Sequence, residues 1–415
     1  MTMRFCPLAI PLAASLLSAA PLPKVNPTDV GVSAERLARV RAHLQRYIDK
    51  GEIAGAVSLV ARRGQIVHFE AQGVMDLESK KPMATDAIFR LASMTKPVTS
   101  LAAMMLHEEG YFLLDDPVSK FLPEFKSPKV ALANKPNERA AEGFRTVPAE
   151  REITIRHLLT HTAGLPTSTS GATGALLAKI QRKPEDALAE WTPKLAAIPL
   201  TFHPGTAWEY GPATDVLGRL VEVVSGQTLD HFFRTRIFQP LGMNDTYFYL
   251  PQAKLPRLAT PYTRKSERLE KLTAAGPANP NGRFFAGGGG LAGTAEDYLR
   301  LCQMFLNGGV LDGRRLVSRK TVESMTSNHI GTHAMWNDSL RGYRFGLGFR
   351  VRTDLGASLT LGSPGEYGWG GAYGTYFWID PKEQMVGILM IQLMPYAHIN
   401  IRPGFQNAVN QAIVD

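Results

Sequence analysis

Ser93 is followed three residues later by Lys96 in "FRLASMTKPVTSLAAMML" (89–106), and no other serine in the chain has a lysine at that spacing. A serine hydroxyl is a poor nucleophile at neutral pH and needs a base within hydrogen-bond reach. On a helix, positions three apart share a face. With Ser93 as the cap, Lys96 projects from the first turn beside the hydroxyl, and the positive end of the helix favours a developing alkoxide. The pair also has a plainer reading, because serine is a common N-cap and lysine a common surface residue of helices. Motifs with two fixed positions recur by chance in a chain of this length, so the assignment needs support from elsewhere.

The competing chemistries have weaker signals. No serine sits in a G-x-S-x-G elbow, and no H-E-x-x-H occurs. His157 and His161 in "HLLTH" stand four apart, but the stretch is apolar and reads as packing rather than a metal site. His329, His333, Trp336 and Tyr343 likewise read as loop and packing residues. Of the two cysteines, Cys302 falls in the apolar helical pattern "AEDYLRLCQMFL" and reads as a buried core residue.

The elements that must position Ser93 follow from periodicity. "AGAVSLVARRGQIVHFEAQGV" (54–74) reads as two strands around a turn at Arg62-Arg63-Gly64. Val98, Leu101, Ala102, Met105 and Leu106 then recur at helical spacing, which predicts one buried face over 94–109. Pro97 is tolerated there because the first turn of a helix leaves its N–H groups unpartnered. Residues 124–152 and 250–285 lack periodicity and read as long loops, of the length that is usually functional or disordered. Between them the chain is mainly helical. The last third returns to strands: "YRFGLGFRVRT", then a hairpin in "YGTYFWIDPKEQMVGILMIQL" turning near Asp380-Pro381-Lys382. Phe405, Val409, Ala412 and Ile413 share one face of a terminal helix. This order predicts an α/β (α+β) fold, with an antiparallel sheet flanked by helices, built from both chain ends, and an inserted mostly helical domain. The expected divisions are 28–88 with 285–415 for the sheet domain and 89–284 for the helical one.

Composition sets outer bounds. The 415 residues, 44% hydrophobic and 20% charged, suit a well-packed globular chain of two or three domain-sized units. The net charge of +9 is scattered, and the densest run, "RKSERLEKL" (264–272), mixes both signs, so a nucleic-acid partner is not expected. Residues 1–20 combine Arg4, an apolar stretch and a small-x-small pattern at Ser18 and Ala20, the composition of a cleaved export signal. Its apolar run is too short to span a membrane. With that leader removed, Cys6 is lost and no internal disulfide remains, so export would not depend on oxidative folding.

Further stretches carry a more specific signal: "ITIRHLLTHTAGLP", "FHPGTAWEYGPATDVLGRLVEVVSG", "PLGMNDTYF", "GGGGLAGTAEDYLRLCQMFLNGG" and "WGGAYGTYFWIDP". Taken with 89–125 and in this order, they resemble the serine β-lactamase and penicillin-binding protein superfamily. More narrowly they resemble the class C β-lactamase-like esterases known as family VIII carboxylesterases. The resemblance runs from about residue 28 to about 395. It implies a β-lactamase/transpeptidase-like fold and an acyl-enzyme mechanism without metal or organic cofactor. By that resemblance Ser93 is the acylated serine, Lys96 its partner, and Tyr210 in "EYGP" the tyrosine that moves protons with the lysine. "WGG" (Trp369, Gly370, Gly371) matches the third motif and lines the substrate site. The N–H groups of Ser93 and Ala372 match the oxyanion donors, which in other enzymes contribute roughly 3 kcal/mol each to lowering the barrier.

Two departures redirect the substrate. The resemblance to class C β-lactamases implies an asparagine where Pro212 stands and a lysine where Trp369 stands. A lysine there would make a charge-assisted contact with a β-lactam carboxylate, whereas an indole offers an apolar wall. The expected activity is therefore hydrolysis of small, short-chain acyl esters, with room for weak β-lactam turnover. A β-lactamase, a D-Ala-D-Ala carboxypeptidase, an acyltransferase of the same fold, and a sensor that acylates without turnover are the alternatives.

Overall fold

The computed structural model describes residues 21–134, 143–180, 182–273, 276–335 and 340–415. The export-signal reading of 1–20, Cys6 and Trp336 lie outside the described residues.

The two chain ends meet in one eight-stranded antiparallel sheet. Its strands are β1 (Gly55–Arg62), β2 (Gln65–Asp76), β3 (Lys81–Pro82), β4 (Tyr343–Phe345), β5 (Arg350–Arg352), β6 (Tyr367–Gly370), β7 (Tyr376–Asp380) and β8 (Met385–Met390). The order across the sheet is β4-β5-β6-β7-β8-β1-β2-β3, so β1 pairs directly with β8, Val57 opposite Met390. The β1–β2 turn takes φ +54° at Arg63 and +76° at Gly64, the doubly left-handed geometry whose twist suits a tight hairpin. The β7–β8 turn forms where expected, with the Asp380 carboxylate accepting from the Lys382 and Glu383 amides.

β1 is buried along its whole length, because both faces of the sheet are covered. Helices α1 (Arg39–Asp49), α2 (Thr95–Glu108), α3 (Ile155–Thr160), α4 (Ala213–Ser225), α5 (Ala295–Leu306) and α6 (Ile401–Asn410) make the covering layers. α1 and α6 close one face over Ala56, Val60, Trp378 and Leu389, through Val40, Leu44, Phe405 and Val409. α5 closes the other over Val57, Leu59 and Ile388, through Tyr298 and Leu299. α2, α4 and α3 pack beside it in the same core.

Several sequence expectations need correction. α2 is buried from Thr95 to Leu106 on every side, not along one face, because it runs through the middle of the helical layer. "YRFGLGFRVRT" is two paired strands, β4 and β5, reversed at Gly348 (φ +95°). The 124–152 stretch contains paired strands, Lys129–Ala133 with Phe144–Pro148, and the 250–285 stretch a hairpin, Tyr262–Lys265 with Arg268–Lys271. α6 stops at Asn410, so Ala412 and Ile413 lie beyond it, Ile413 bridging to Val32. Cys302 is buried in α5 as expected, and burial holds its thiol well above the ordinary range.

Candidate active site

Ser93 does not cap α2. It sits in a single 3-10 turn, Ala92–Met94, immediately before the helix, and Met94 takes the cap position. Ala92 is held at φ +46°, a left-handed conformation that costs a non-glycine residue free energy and persists only where its surroundings impose it.

Those surroundings are specific. Phe89–Arg90 pairs with Ala292–Gly293 on the approach to α5, and Leu91 N–H donates to Leu291 O at 2.9 Å. The Gln392 side chain brackets Arg90, accepting from its N–H and donating to its carbonyl, both at 3.2 Å. Tyr298 OH donates to Met94 O at 2.8 Å, and Leu291 N–H to Thr95 Oγ1 at 3.1 Å. The turn is thus gripped from both sides before any substrate arrives.

Lys96 projects from the first turn of α2 and is 5% exposed. Its Nζ lies 3.4 Å from Ser93 Oγ, a long contact, and donates to Gly288 O at 2.7 Å. It also lies 4.4 Å from the centre of the Tyr210 ring, within cation–π range. The Gly287–Gly288 segment is itself fixed. Thr99 Oγ1 donates to Gly287 O at 2.7 Å, and Gly288 N–H donates to the Asp215 carboxylate at 2.8 Å. Asp215 comes from α4, is 1% exposed, and pairs with Arg182 at 2.8 Å.

Tyr210 stands just before α4 in a cluster of rings. Its centroid is 4.7 Å from that of His161, 5.3 Å from that of Trp369 and 6.1 Å from that of Trp208. Phe345 of β4 closes the cluster against His161 and Trp369, each at 5.3 Å. Trp369 Nε1–H donates to Tyr210 Oη at 3.0 Å. Trp369 is therefore more than an apolar wall: its N–H can steady negative charge on the phenol oxygen. His161 ends α3 in a left-handed conformation (φ +59°), with its ring buried. Burial, with the Lys96 charge adding, holds it well below the usual histidine range and so neutral. His157 Nδ1 accepts from Thr154 N–H at 3.1 Å in a helix cap. "HLLTH" is packing and capping, as its apolar setting suggested, with His161 lying next to the site.

Trp369 and Gly370 end β6 beside the Ser93 turn, and Gly371 follows directly. A Cβ on Gly371 would stand 2.2 Å from Leu91 O and 2.2 Å from Thr375 Oγ1, so only glycine fits there. Thr375 Oγ1 donates to Leu91 O at 3.1 Å, which ties the two segments together. Ala372, itself exposed, lies in the turn that follows, between buried Gly371 and Gly374. The turn's own bonds run from Gly371 N–H to Thr375 O (2.7 Å) and from Gly374 N–H to Gly371 O (3.0 Å), and neither uses the Ala372 amide.

The structure therefore brings Ser93, Lys96, Tyr210, Trp369 and Gly371 together from three separate stretches of chain, with Ala372 next along the chain from Gly371. Sequence reading missed Asp215, Gly288 and Arg402. Asp215 had a signal, an acid among the buried positions of α4; Gly288 lies in an undifferentiated glycine run; Arg402 reads as an ordinary helix start. Among the described residues no helix is long and apolar enough to cross a membrane.

Residues 40–404 match the family described as Beta-lactamase. Protein Rv1367c of Mycobacterium tuberculosis is 36% identical over 365 residues, covering 86% of this chain and 90% of that protein. Esterase EstB of Burkholderia gladioli is 33% identical over 383 residues, with the same coverage of 86% and 90%. Among solved structures, EstCE1, described as a hydrolase with promiscuous acyltransferase activity, superposes with a TM-score of 0.78 at 29% identity, covering 92% of this chain and 99% of that one.

Proposed function

This chain belongs to the beta-lactamase family, and we propose that it works within that family as a serine carboxylesterase, with Ser93 as the acylated nucleophile. The observation that carries the reading is the convergence on Ser93 of Lys96 Nζ, seated over the Tyr210 ring, with a tryptophan N–H on the Tyr210 oxygen.

Ser93 Oγ attacks the ester carbonyl carbon and its proton passes to the Lys96–Tyr210 pair. The carbonyl electron pair moves onto oxygen, and the Ser93 and Ala372 N–H groups donate hydrogen bonds to that oxyanion. The intermediate collapses, the C–O bond to the alcohol breaks, and the leaving alkoxide takes the proton. Water repeats the sequence on the acyl-enzyme and regenerates Ser93. Water is the acceptor in the reading favoured here; an alcohol in its place gives acyl transfer, a reading that the EstCE1 likeness favours.

Short, uncharged acyl esters are the proposed substrates. At the third-motif position a tryptophan, already engaged with Tyr210, replaces the cation that a carboxylate-bearing lactam would use. We further propose two domains, 28–88 with 285–415 and 89–284, with the site at their junction. The 1–20 composition supports export from the cytoplasm.

A chromogenic butyrate ester tests the assignment. Wild type hydrolyses it and Ser93→Ala reduces the rate to background, while intact-protein mass spectrometry detects a transient +70 Da butyryl adduct, roughly the mass of C4H6O, on wild type alone. Undiminished hydrolysis by Ser93→Ala would overturn the nucleophile. A chromogenic cephalosporin turned over faster than the ester would favour the lactamase reading.

A further inference from the structure

Arg402, the second residue of α6, lies far along the chain from every motif residue except "WGG", yet its guanidinium is built into the turn that carries Ala372. Nη2 donates to Thr375 O at 2.6 Å and also to Gly371 O, and Nε donates to Gly374 O at 3.3 Å. Nη1 donates to the Tyr396 hydroxyl, whose ring the guanidinium overlies at 3.7 Å. A Cβ on Gly370 would meet the same guanidinium at 2.8 Å, so the cation also closes the end of β6.

These bonds connect. Three carbonyls on one rigid, planar donor hold the 371–375 backbone in a single conformation, which a flexible ammonium would not. From Thr375 the frame continues through Oγ1 to Leu91 O, and Leu91 O in turn accepts Met94 N–H at 3.1 Å across the Ser93 turn. The Ser93 turn and the turn that carries Ala372 therefore share one hydrogen-bonded support with Arg402 at its base.

We propose that Arg402 is a positioning residue for the oxyanion site: it fixes the Gly371–Thr375 turn so that the Ala372 N–H is aimed at the developing oxyanion on the ester bonded to Ser93. The proposal rests on the serine-esterase reading above. Arg402 acts through its bonds to the carbonyls of Gly371, Gly374 and Thr375 rather than as a catalytic group. Burial, with Arg350 adding, pushes the Arg402 guanidinium down to about 10 against the opposing influence of Tyr396, Tyr376 and Tyr210, so it stays a cation at neutral pH.

A residue that only stabilises the fold would lower the melting temperature and leave a folded enzyme with normal turnover. A residue that aims an oxyanion donor lowers kcat selectively, because that bond forms mainly in the transition state. The test compares wild type, Arg402→Lys and Arg402→Gln with a butyrate ester as substrate and phenylboronic acid as inhibitor. Boron bonded to Ser93 Oγ becomes tetrahedral and presents an oxygen where the oxyanion forms. We expect Arg402→Gln to lower kcat about 10²-fold, the scale set by misplacement of one donor, with KM within about threefold. Phenylboronic acid affinity falls in parallel, and Arg402→Lys lies between. Folded variants with wild-type kcat and wild-type boronate affinity would overturn the proposal, as would a change confined to KM. Should Arg402→Gln fail to fold, the Lys variant decides by the same two readouts. Absence of ester hydrolysis and of any Ser93 adduct in the wild type would instead overturn the esterase reading itself.

Discussion

At the scale of single residues, the site depends on polar groups that are buried and already partnered before substrate binds. Lys96 has Gly288 O, Gly288 has Asp215, and Tyr210 has the Trp369 N–H. Replacing Trp369 with phenylalanine keeps an aromatic ring in the Tyr210–Phe345 cluster and removes the donor together with part of the indole's bulk. A hydrogen bond to a group that carries charge during reaction is worth on the order of 2 kcal/mol. We expect Trp369→Phe to lower kcat about 30-fold in a protein that remains folded. Tyr210→Phe removes the proton carrier itself and lowers kcat by about 10²–10⁴. Steady-state kinetics on a neutral ester checks both; a Trp369→Phe enzyme with wild-type kcat would mean the indole serves packing alone. The Ser93–Lys96 pair was legible because its geometry is local: three residues apart at a helix start. The Asp215–Gly288–Lys96 chain was not, because its links span 73 and 192 residues and no spacing rule reaches that far.

At the scale of elements, α3 shows how one short helix serves the site. Thr154 caps it, His157 completes the capping box with its Nδ1, and His161 ends it against Tyr210. Burial, with Arg151 adding, pushes His157 down to about 4. Between pH 6.5, where an unfolded histidine titrates, and about 4, the unfolded chain binds a proton that the folded helix excludes. Stability is therefore full above pH 6.5 and falls as pH drops through this window. Gln at the third helical position can accept the same backbone N–H without titrating. His157→Gln should unfold at nearly the wild-type temperature at pH 8 and show a shallower loss between pH 6.5 and 4. Parallel curves for the two proteins, measured by thermal unfolding across pH, would rule out His157 as a source of the acid sensitivity. Helix α2 illustrates what periodicity misses. The apolar spacing located it, but its complete burial follows from neighbours on all sides.

At the scale of the whole molecule, the sheet is closed by strands from opposite chain ends, and the last helix holds it shut. Phe405 of α6 is fully buried and its ring lies edge-on to Trp378 of β7, centroids 5.4 Å apart. Truncating a large buried aromatic side chain typically costs about 3–5 kcal/mol. Phe405→Ala should lose that much in denaturant unfolding, and a loss below about 1 kcal/mol would show that α6 does not secure the sheet. Because α6 also carries Arg402, the same helix that completes the fold sets the turn that bears Ala372. Folding of the C-terminus and readiness of the site are thereby coupled.

The strand–helix–strand order, the hairpins around Arg63-Gly64 and Asp380-Pro381, and the Ser93–Lys96 pair were determined by the sequence alone, since each rests on hydrophobic period, turn chemistry or local spacing. The family motifs added Tyr210 and "WGG" by their order along the chain. Only the tertiary structure decided that Ser93 sits in a strained 3-10 turn rather than at a helix cap. It alone showed that the Trp369 N–H meets the Tyr210 oxygen, and that Arg402 underlies the Ala372 turn. Those contacts join segments that have no local relation to one another. They arise when the burial of two sheet faces fixes where each segment ends.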